Sequence, residues 1–453
     1  MKGLTVYEFD ALVAEAPGRP LAEGTYEVAA PVFAWLERIC LVAAEQGESP
    51  WLRLTQRRGR RAVQLTSYVG VIQAPDGFQI EVLPKVGKAI DGGIGAARSM
   101  LIEMLACLDG FRHVATDNAL LAAQRMPLLD VFIAQFLGAV QTLLKQGLRS
   151  DYVLREQNLH TLRGKLLVAA NLRHNLCRAD RFVCEYEEFS ADRAENRLLH
   201  AALRRVLTLA GSLDNLRLGR ELVFVFADVP VSSRVADDFK RVRLERGMRH
   251  YGPALDWARL ILAGLAPVPQ GGAEQAPSLL FPMAALFESF VARSMRRHLA
   301  PALVLKSQAR SEHLVRHQER NWFRLKPDLL VVSGSSSLLV LDTKWKLLDG
   351  RRTGGANQYG LAQGDFYQLQ AYGHSYLDGQ GDLVLIYPKT DSFPEPLKVF
   401  TFPKAAGLRL WVLPFCMGAR SIMLPKDAAF PSAFDGIAHA ATPLAPEDEL
   451  SGL

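Results

Sequence analysis

The stretch "RLKPDLLVVSGSSSLLVLDTKWKLL", residues 324 to 348, constrains the fold more than any other part of the chain. Two apolar runs of strand length flank a turn-forming "SGSSS", so the segment predicts a β-hairpin. Lys326, Asp328, Asp342 and Lys344 interrupt runs that otherwise read as buried. A charge inside a core is costly unless it is paired or binds something. Folding the chain back symmetrically about Ser335 sets Asp328 against Asp342 and Lys326 against Lys344. Strand alternation puts these four on one face and Leu341, Thr343 and Trp345 on the other. Directly opposed residues have Cβ atoms about 4.5–5.5 Å apart, so two carboxylates in this register repel unless a cation sits between them. A divalent metal resolves the conflict with Lys344 close enough to join the site, and oxygen-only ligands favour Mg²⁺ or Mn²⁺ over zinc. A slip of one residue would turn Asp342 away from Asp328. The bland alternative is that both aspartates end strands and pair with Lys326 and Lys344 at the surface.

Two neighbouring segments favour the metal. In "LFPMAALFESFVARSMRRHL" Glu288 stands amid the apolar face of a helix, where a lone acid needs a ligand, so it is a candidate to complete the shell. In "DFYQLQAYGHSY" Gln368 and Tyr372 are one helical turn apart and project together, a hydrogen-bonding pair able to hold a nucleic-acid backbone. A metal beside a lysine has a natural chemistry in phosphodiester hydrolysis: generating hydroxide and stabilising the departing oxygen.

The rest of the chain sets the frame. A length of 453 residues suggests two or three domains, and a composition with 22% charged residues is ordinary for a soluble globular protein. A net charge of +6 permits a polyanion partner without requiring one. Cys40, Cys107, Cys177, Cys184 and Cys416 are scattered and form no CxxC pair, which argues against a disulfide framework or structural zinc and suits a reducing cytoplasm. The N-terminal "MKGLTVYEFDALVAEAP" contains acids where a signal peptide needs an apolar core. No apolar run approaches the roughly 18 residues of a membrane span, so the expectation is a soluble, unexported, cytoplasmic protein with no membrane contact.

From Trp51 to Val86 the pattern alternates and predicts a small twisted sheet. Within it "QRRGRRA" places Arg57, Arg58, Arg60 and Arg61 around Gly59, a hairpin tip projecting into solvent that serves either as a solubilising turn or as a contact with DNA or a partner. Residues 95 to 147 recur at helical spacing. Residues 163 to 211 are mixed: Asn196 opens a strongly periodic helix just after Glu185 to Glu188, which read as a solvated acidic edge. "APVPQGGAEQAPS" (266 to 278) reads as a flexible connector. After it the order is helix, hairpin, helix, strand. The expected fold is therefore α/β (α+β): an N-terminal β-rich and helical partner-docking region (1 to 150), a mixed helical middle region (151 to 265), a linker (266 to 278) and a C-terminal mixed-sheet domain flanked by helices (279 to 453). The last stretch, from Met423 onward, carries no recognisable chemistry.

Together, Glu288, Lys326-Pro327-Asp328, Asp342-Thr343-Lys344 and Gln368-x-x-x-Tyr372 resemble the PD-(D/E)xK (restriction-endonuclease-like) nuclease superfamily, in its variant with a QxxxY helix. The resemblance implies that Glu288, Asp328 and Asp342 bind metal, that Lys344 assists the attacking water, and that Gln368 and Tyr372 support the site. Asp342 stands where many members carry Glu. "YVGVIQAPDGFQIEVLPKVG", "LREQNLHTLRGKLLVAANLRHN", "FVCEYEEFSADRAENRLLHAAL", "MAALFESFV" and "DTKWK" followed by "DFYQLQAYG" are similar to segments of the McrC family, from about residue 50 to about residue 390.

That family resemblance implies a Mg²⁺-dependent DNA endonuclease subunit of a modification-dependent (type IV) restriction system. Its nuclease is idle until it docks on a McrB-like AAA+ GTPase hexamer, whose nucleotide hydrolysis its N-terminal region stimulates. The chain itself carries no G-x-x-x-x-G-K-[ST] loop, and "GGIGAARS" lacks the required lysine, so it should bind no nucleotide and any motor must come from the partner. The competing expectations are a non-cleaving activator of a AAA+ NTPase and a stand-alone repair nuclease acting on double-stranded DNA.

Overall fold

The computed structural model describes residues 3–16, 18, 20–45, 51–89, 93–108, 126–244, 246–263, 278–352 and 355–425. The chain opens with strands β1 (Gly3–Tyr7), β2 (Ala11–Ala14) and β3 (Thr25–Val28) and helix α1 (Ala30–Glu45). Strands β4 (Leu52–Arg57), β5 (Arg60–Leu65), β6 (Tyr68–Gln73) and β7 (Gln79–Leu83) follow, then helices α2 (Gly93–Leu105) and α3 (Leu128–Gln146). Next come β8 (Asp151–Leu159), β9 (Lys165–Leu166), α4 (Val168–Asn175) and β10 (Phe182–Ser190). Helices α5 (Ala194–Leu209), α6 (Leu213–Val225), α7 (Val235–Arg241) and α8 (Gly252–Ala263) lead to β11 (Ser278–Pro282) and α9 (Met283–His298). Strands β12 (Val304–Ser307), β13 (His313–His317), β14 (Arg320–Arg324), β15 (Leu329–Ser333) and β16 (Ser336–Thr343) precede α10 (Gln363–Tyr376). Strands β17 (Gly381–Pro388), β18 (Phe400–Phe402), β19 (Ala405–Cys416) and β20 (Ser421–Ile422) end the described chain. This is an α+β fold.

The chain divides into two compact units, each assembled from stretches distant in sequence. The first comprises Met1–Leu4, Gly70–Glu81 and His113–Leu280, and the second Thr5–Val69, Val82–Arg112 and Phe281–Leu453. Residues 1 to 150, expected to form one region, thus contribute to both. The connector expected over 266 to 278 lies, except for Ser278, outside the described residues.

In the first unit α3 is a 19-residue helix of mean hydropathy 1.4, long and apolar enough by composition to cross a membrane. This corrects the expectation that no apolar run approaches that length: the helix qualifies although it carries Asp130 and Lys145. Val131, Phe132, Phe136, Leu137 and Val140 are buried, which is how a core helix of a globular unit satisfies the same composition. The buried Asp130 accepts hydrogen bonds from the backbone N–H groups of Gly211 (2.9 Å) and Ser212 (3.0 Å) and from Asn215 Nδ2 (3.2 Å), satisfying donors at the start of α6. Asn196 lies inside α5 and is fully buried. It donates to the carbonyls of Arg149 (3.0 Å) and Ala191 (2.8 Å) and accepts from Tyr251 Oη (2.9 Å). The acids from Glu185 to Glu188 sit in β10 of the sheet β8-β10-β9, where Glu188 pairs with Arg155 (3.1 Å) and Glu185 with Lys165 (3.5 Å).

One close approach in this unit demands glycine. Gly70, in β6, has φ +131°, and a Cβ placed on it would stand 1.9 Å from the carbonyl oxygen of Leu279 in the neighbouring strand β11. Gly70→Ala should therefore cost more than about 2 kcal/mol, because backbone has to move on one side or the other. Equilibrium denaturation of the variant against the parent measures this, and an unchanged midpoint would refute the close packing.

In the second unit a sheet of order β3-β2-β5-β4 packs against α1. The alternating stretch from 51 to 86 is thus not one sheet. Its β4–β5 hairpin pairs with β2, whereas β6 and β7 belong to the order β1-β7-β6-β11. Alternation specifies a strand and its buried face, but the strand's partner is chosen by segments far away in sequence.

This unit also holds a seven-stranded mixed sheet of order β12-β15-β16-β17-β19-β18, with β20 on β19. β12, β15 and β16 pair antiparallel, and β16, β17 and β19 are parallel. Val340, Leu383, Leu385, Leu408 and Leu410 point from it toward Leu369, Tyr372 and Tyr376 of α10. Phe287 and Phe290 of α9 meet Phe415 with ring centroids 5.9 and 5.8 Å apart, on the opposite face by strand alternation.

Candidate active site

The β15–β16 hairpin positions the central residues. Leu329, Leu330 and Val331 pair with Leu341, Val340 and Leu339, as symmetric folding predicts. The register then shifts at Val331/Val332, and the turn falls at Gly334-Ser335, with Gly334 at φ +58°. Pairing stops one residue short of Asp328. Asp328 therefore does not oppose Asp342 within a ladder. Its Oδ2 instead accepts from both the backbone N–H and the hydroxyl of Thr343, each at 2.7 Å. Lys326 does not face Lys344 either: it is exposed, and its carbonyl accepts from Tyr372 Oη at 3.0 Å. Of the four charges in these runs, Asp342 alone is buried, at 2% exposure, while Asp328 and Lys344 are half-buried.

Asp342 follows Val340 on the face of β16 that looks toward α10. Lys344 Nζ lies 2.7 Å from Asp342 Oδ2 and 3.6 Å from Asp365 Oδ1, and donates to Gln368 Oε1 at 3.3 Å. Gln368 Nε2 in turn donates to Tyr372 Oη at 2.7 Å. Gln368 and Tyr372 thus form a relay from the lysine to the backbone just before Asp328. Despite the short charge contact, no donor among the described residues is aligned on Asp342 Oδ2 as a hydrogen bond, so a buried acceptor retains unused capacity. Burial, then the charge of Asp328, push the Asp342 carboxyl up to about 7, with Lys344 working the other way. Burial opposes the Lys344 ammonium, but Asp342, joined by Asp365 and Asp328, more than offsets it and holds the lysine above its ordinary range. Burial likewise raises Tyr372 and, with Asp365, Tyr387, whose hydroxyl donates to Asp365 Oδ2 at 3.3 Å.

Glu288 of α9 is half-buried and accepts from Gln308 Nε2 at 3.1 Å; burial and then the charge of Asp328 raise its pKa. Among the described residues no three His, Cys, Asp or Glu side chains are gathered into a ready-made metal cluster. Asp328 is the common neighbour: its charge acts on both Asp342 and Glu288. The arginine-rich tip lies in a different sheet of the same unit. Arg58 and Gly59, both at positive φ, make its two-residue turn. Arg61 is exposed and pairs with Glu37 (3.3 Å), but Arg60 folds back onto Glu27 (3.2 Å) and the Ala14 carbonyl, because an acid on β3 offers it a charge partner nearer than solvent.

A family model described as the McrBC 5-methylcytosine restriction system component matches residues 63–388, more than half of the chain. The chain belongs to this family. A chain of the refined half-complex from the tetradecameric assembly of Thermococcus gammatolerans McrB AAA+ hexamers with bound McrC is similar in fold. It has 20% identity and a TM-score of 0.64, over 97% of this chain and 99% of that one. A chain of the cryo-EM structure of the Thermococcus gammatolerans McrBC complex matches at 21% identity and a TM-score of 0.49, over 66% of this chain and 88% of that one. No curated protein matches.

Several residues around the site of this McrBC family member escaped the sequence reading. Asp365 was legible, since it stands three positions before Gln368 in the first turn of α10. Gln308, at φ +51°, bonds Glu288 through its side chain and the Asp328 carbonyl through its N–H (2.8 Å), but no local pattern marks it. Least legible is the support behind Trp345, the residue after Lys344. Its indole Nε1–H points between both carboxylate oxygens of the buried Glu8, 3.0 Å from each. Glu8 also accepts from the Lys85 N–H (3.0 Å) and Ser67 Oγ (3.3 Å), and Lys85 Nζ donates to the Trp345 carbonyl (3.3 Å).

Proposed function

We propose that this chain is the McrC-like nuclease subunit of a modification-dependent (type IV) restriction system, with a PD-(D/E)xK active site in its C-terminal mixed sheet. The observation that carries the reading is the buried Asp342 carboxylate, held 2.7 Å from Lys344 Nζ and opposed by the charge of Asp328. Two mutually repelling carboxylates and an all-oxygen donor set fit a hard divalent cation, Mg²⁺ or Mn²⁺, held by Asp328 and Asp342. Glu288 would join through its closeness to Asp328. When bound, the metal supplies Lewis-acid polarisation of a phosphodiester and a more acidic water. The side chains do the rest. Lys344, kept protonated by Asp342, offers a positive charge to the developing oxyanion. Gln368 holds the lysine's Nζ, Tyr372 fixes Gln368 against the Lys326 carbonyl, and Thr343 fixes the Asp328 carboxylate.

The partner in this reading is a McrB-like AAA+ GTPase hexamer, consistent with the absence of a phosphate-binding loop in this sequence. The test is cleavage of 5-methylcytosine-containing and unmodified duplex DNA by the full chain, with and without its genomically adjacent AAA+ protein, in Mg²⁺ and GTP. The expected result is cleavage of the modified duplex that needs the partner, the nucleotide and the divalent metal. Cleavage without the partner would replace this reading by a stand-alone nuclease, and stimulated hydrolysis without any cleavage would replace it by an activator.

A further inference from the structure

The ribbon β13–β14 stands apart from the mixed sheet as a separate two-stranded sheet. Its turn, Gln318 at φ +45° and Glu319 at φ +59°, is the tight two-residue kind that suits a twisted hairpin. From Leu314 to His317 and from Arg320 to Arg324 every residue is exposed. Trp322 is 48% and Phe323 67% exposed, an unusual amount of aromatic surface to leave in water. The register His313↔Arg324, Val315↔Trp322 and His317↔Arg320 sets His317, Arg320, Trp322 and Arg324 on one face, with Arg316 on the other. The His317 and Trp322 rings meet edge-on, 6.0 Å apart. Among the described residues no ion pair engages Arg316, Arg320 or Arg324, and the one acid within the hairpin is Glu319 at the turn.

The base of this ribbon is tied to the candidate site. Tyr376 Oη of α10 lies 3.2 Å from the carbonyls of both Ala309 and Leu325, which flank the ribbon at its two ends. The Leu325 N–H bonds the Glu312 carbonyl (2.9 Å), and the Gln308 N–H bonds the Asp328 carbonyl (2.8 Å). Arg324 and Asp328 are four residues apart, at most about 14 Å of extended chain. Duplex DNA carries one negative charge per about 1.7 Å of axis, so a duplex with a phosphate at Asp328 has further phosphates within the about 14 Å that the chain can span to Arg324. A two-stranded ribbon is of a size that the major groove, about 12 Å wide, admits. Guanidiniums engaged in no ion pair among the described residues, with Arg324 Nε donating to His313 Nε2 (3.5 Å), stand between exposed aromatic rings and match a phosphate backbone, its sugars and base edges.

We infer that the β13–β14 ribbon is a duplex-DNA contact that lays the substrate's backbone across the Asp328–Asp342 site. This rests on reading that site as a nuclease, and the occupant is double-stranded DNA rather than the AAA+ partner. The ribbon supplies sequence-independent affinity through Arg316, Arg320 and Arg324, with Trp322 and Phe323 packing on sugars or base edges.

The experiment measures binding of the full chain to an unmodified fluorescent duplex without divalent metal, across a salt titration. The Arg316→Ala/Arg320→Ala/Arg324→Ala variant should lose at least about 10-fold in affinity, and its slope of log affinity against log salt should shrink by about 2 to 3, at about 0.9 per phosphate contact. The matching triple lysine variant should recover most of the affinity, which a misfolded ribbon would not allow. Stimulation of the partner's hydrolysis should be unchanged in both. Unaltered affinity and slope in the alanine variant would overturn the inference, as would a parent chain that binds no duplex. A loss of partner stimulation with DNA binding intact would overturn it in favour of a protein contact. An Asp342→Ala chain separates the two readings: if it still cleaves, the nuclease assignment fails, whereas the ribbon stands or falls on the binding data.

Discussion

Asp342→Ala is expected to lower DNA cleavage by the assembled complex by about 10³-fold or more, at or beyond the upper end of what removing one preorganised electrostatic group costs, about 10²–10³. The reasoning is local. Asp342 is 2% exposed, has an oxygen without an aligned donor, and holds Lys344 at 2.7 Å. Removing it takes away the oxygen proposed to hold the metal and the anchor of the lysine together. The fold should not suffer, because burial and the charge of Asp328 oppose the ionised Asp342 carboxylate, and Lys344 keeps Asp365 (3.6 Å) and Gln368 (3.3 Å) as partners when Asp342 is gone. The metal-free variant should therefore unfold no earlier than the parent, and its stimulation of the partner should persist. Plasmid linearisation, thermal unfolding and nucleotide hydrolysis read the three quantities separately. Cleavage at the parental rate would end the assignment of Asp342.

The second large effect concerns Trp345 and Glu8. Trp345 is buried, its ring centroid lies 5.2 Å from that of Phe287, and its indole N–H serves Glu8. Trp345→Ala should cost about 3–5 kcal/mol from lost packing alone, with a further penalty for leaving the Glu8 carboxylate short of a donor. Glu8 also predicts a pH dependence. Burial raises its pKa from 4.5 to about 7, against the Lys85 N–H and charge, Trp345 and Ser67. Burial in turn lowers Lys85, whose ammonium lies over the Phe9 ring at 4.8 Å.

Because the folded state holds the Glu8 proton more tightly than the unfolded chain, stability falls as pH rises from about 4.5 to about 7 and is level on either side of that window. The Glu8 contribution is on the order of 3 kcal/mol across the window. Glu8→Gln should remove that part of the decline. Asp342 titrates in the same direction, so the informative quantity is the difference between parent and variant in urea unfolding at pH 4.5 and pH 7.5. Parallel pH profiles would show that Glu8 is ionised at no cost.

The candidate site was legible in unequal parts. Asp342 and Lys344 stand on a strand whose alternation is a local property, and Gln368 and Tyr372 stand on one helical face for the same reason. Asp365 lay in view, one turn before Gln368, and went unread. The symmetric register was right for three pairs, but it could not anticipate the shift at Val331/Val332 or that Asp328 lies beyond the ladder and bonds Thr343. Those outcomes depend on how the strand ends meet their surroundings, not on residue spacing. Arg60 is a similar case: its cluster read as a projecting tip until Glu27, on another strand, drew one arginine inward.

By itself the sequence determined the type and approximate place of the hairpin and flanking helices around the site, the shared face of Asp342 and Lys344, and the absence of a phosphate-binding loop. These follow from periodicities of two and 3.6 residues and from motif chemistry, which act over a few residues. Only the tertiary structure decided which strands share a sheet, which carboxylate loses its water, and what braces the segment after Lys344. The brace on Trp345 is Glu8, 337 residues away in the chain. Desolvation and strand partnership depend on which distant segments close over a group, and a contact across that separation exists only once the whole fold has brought its two ends together.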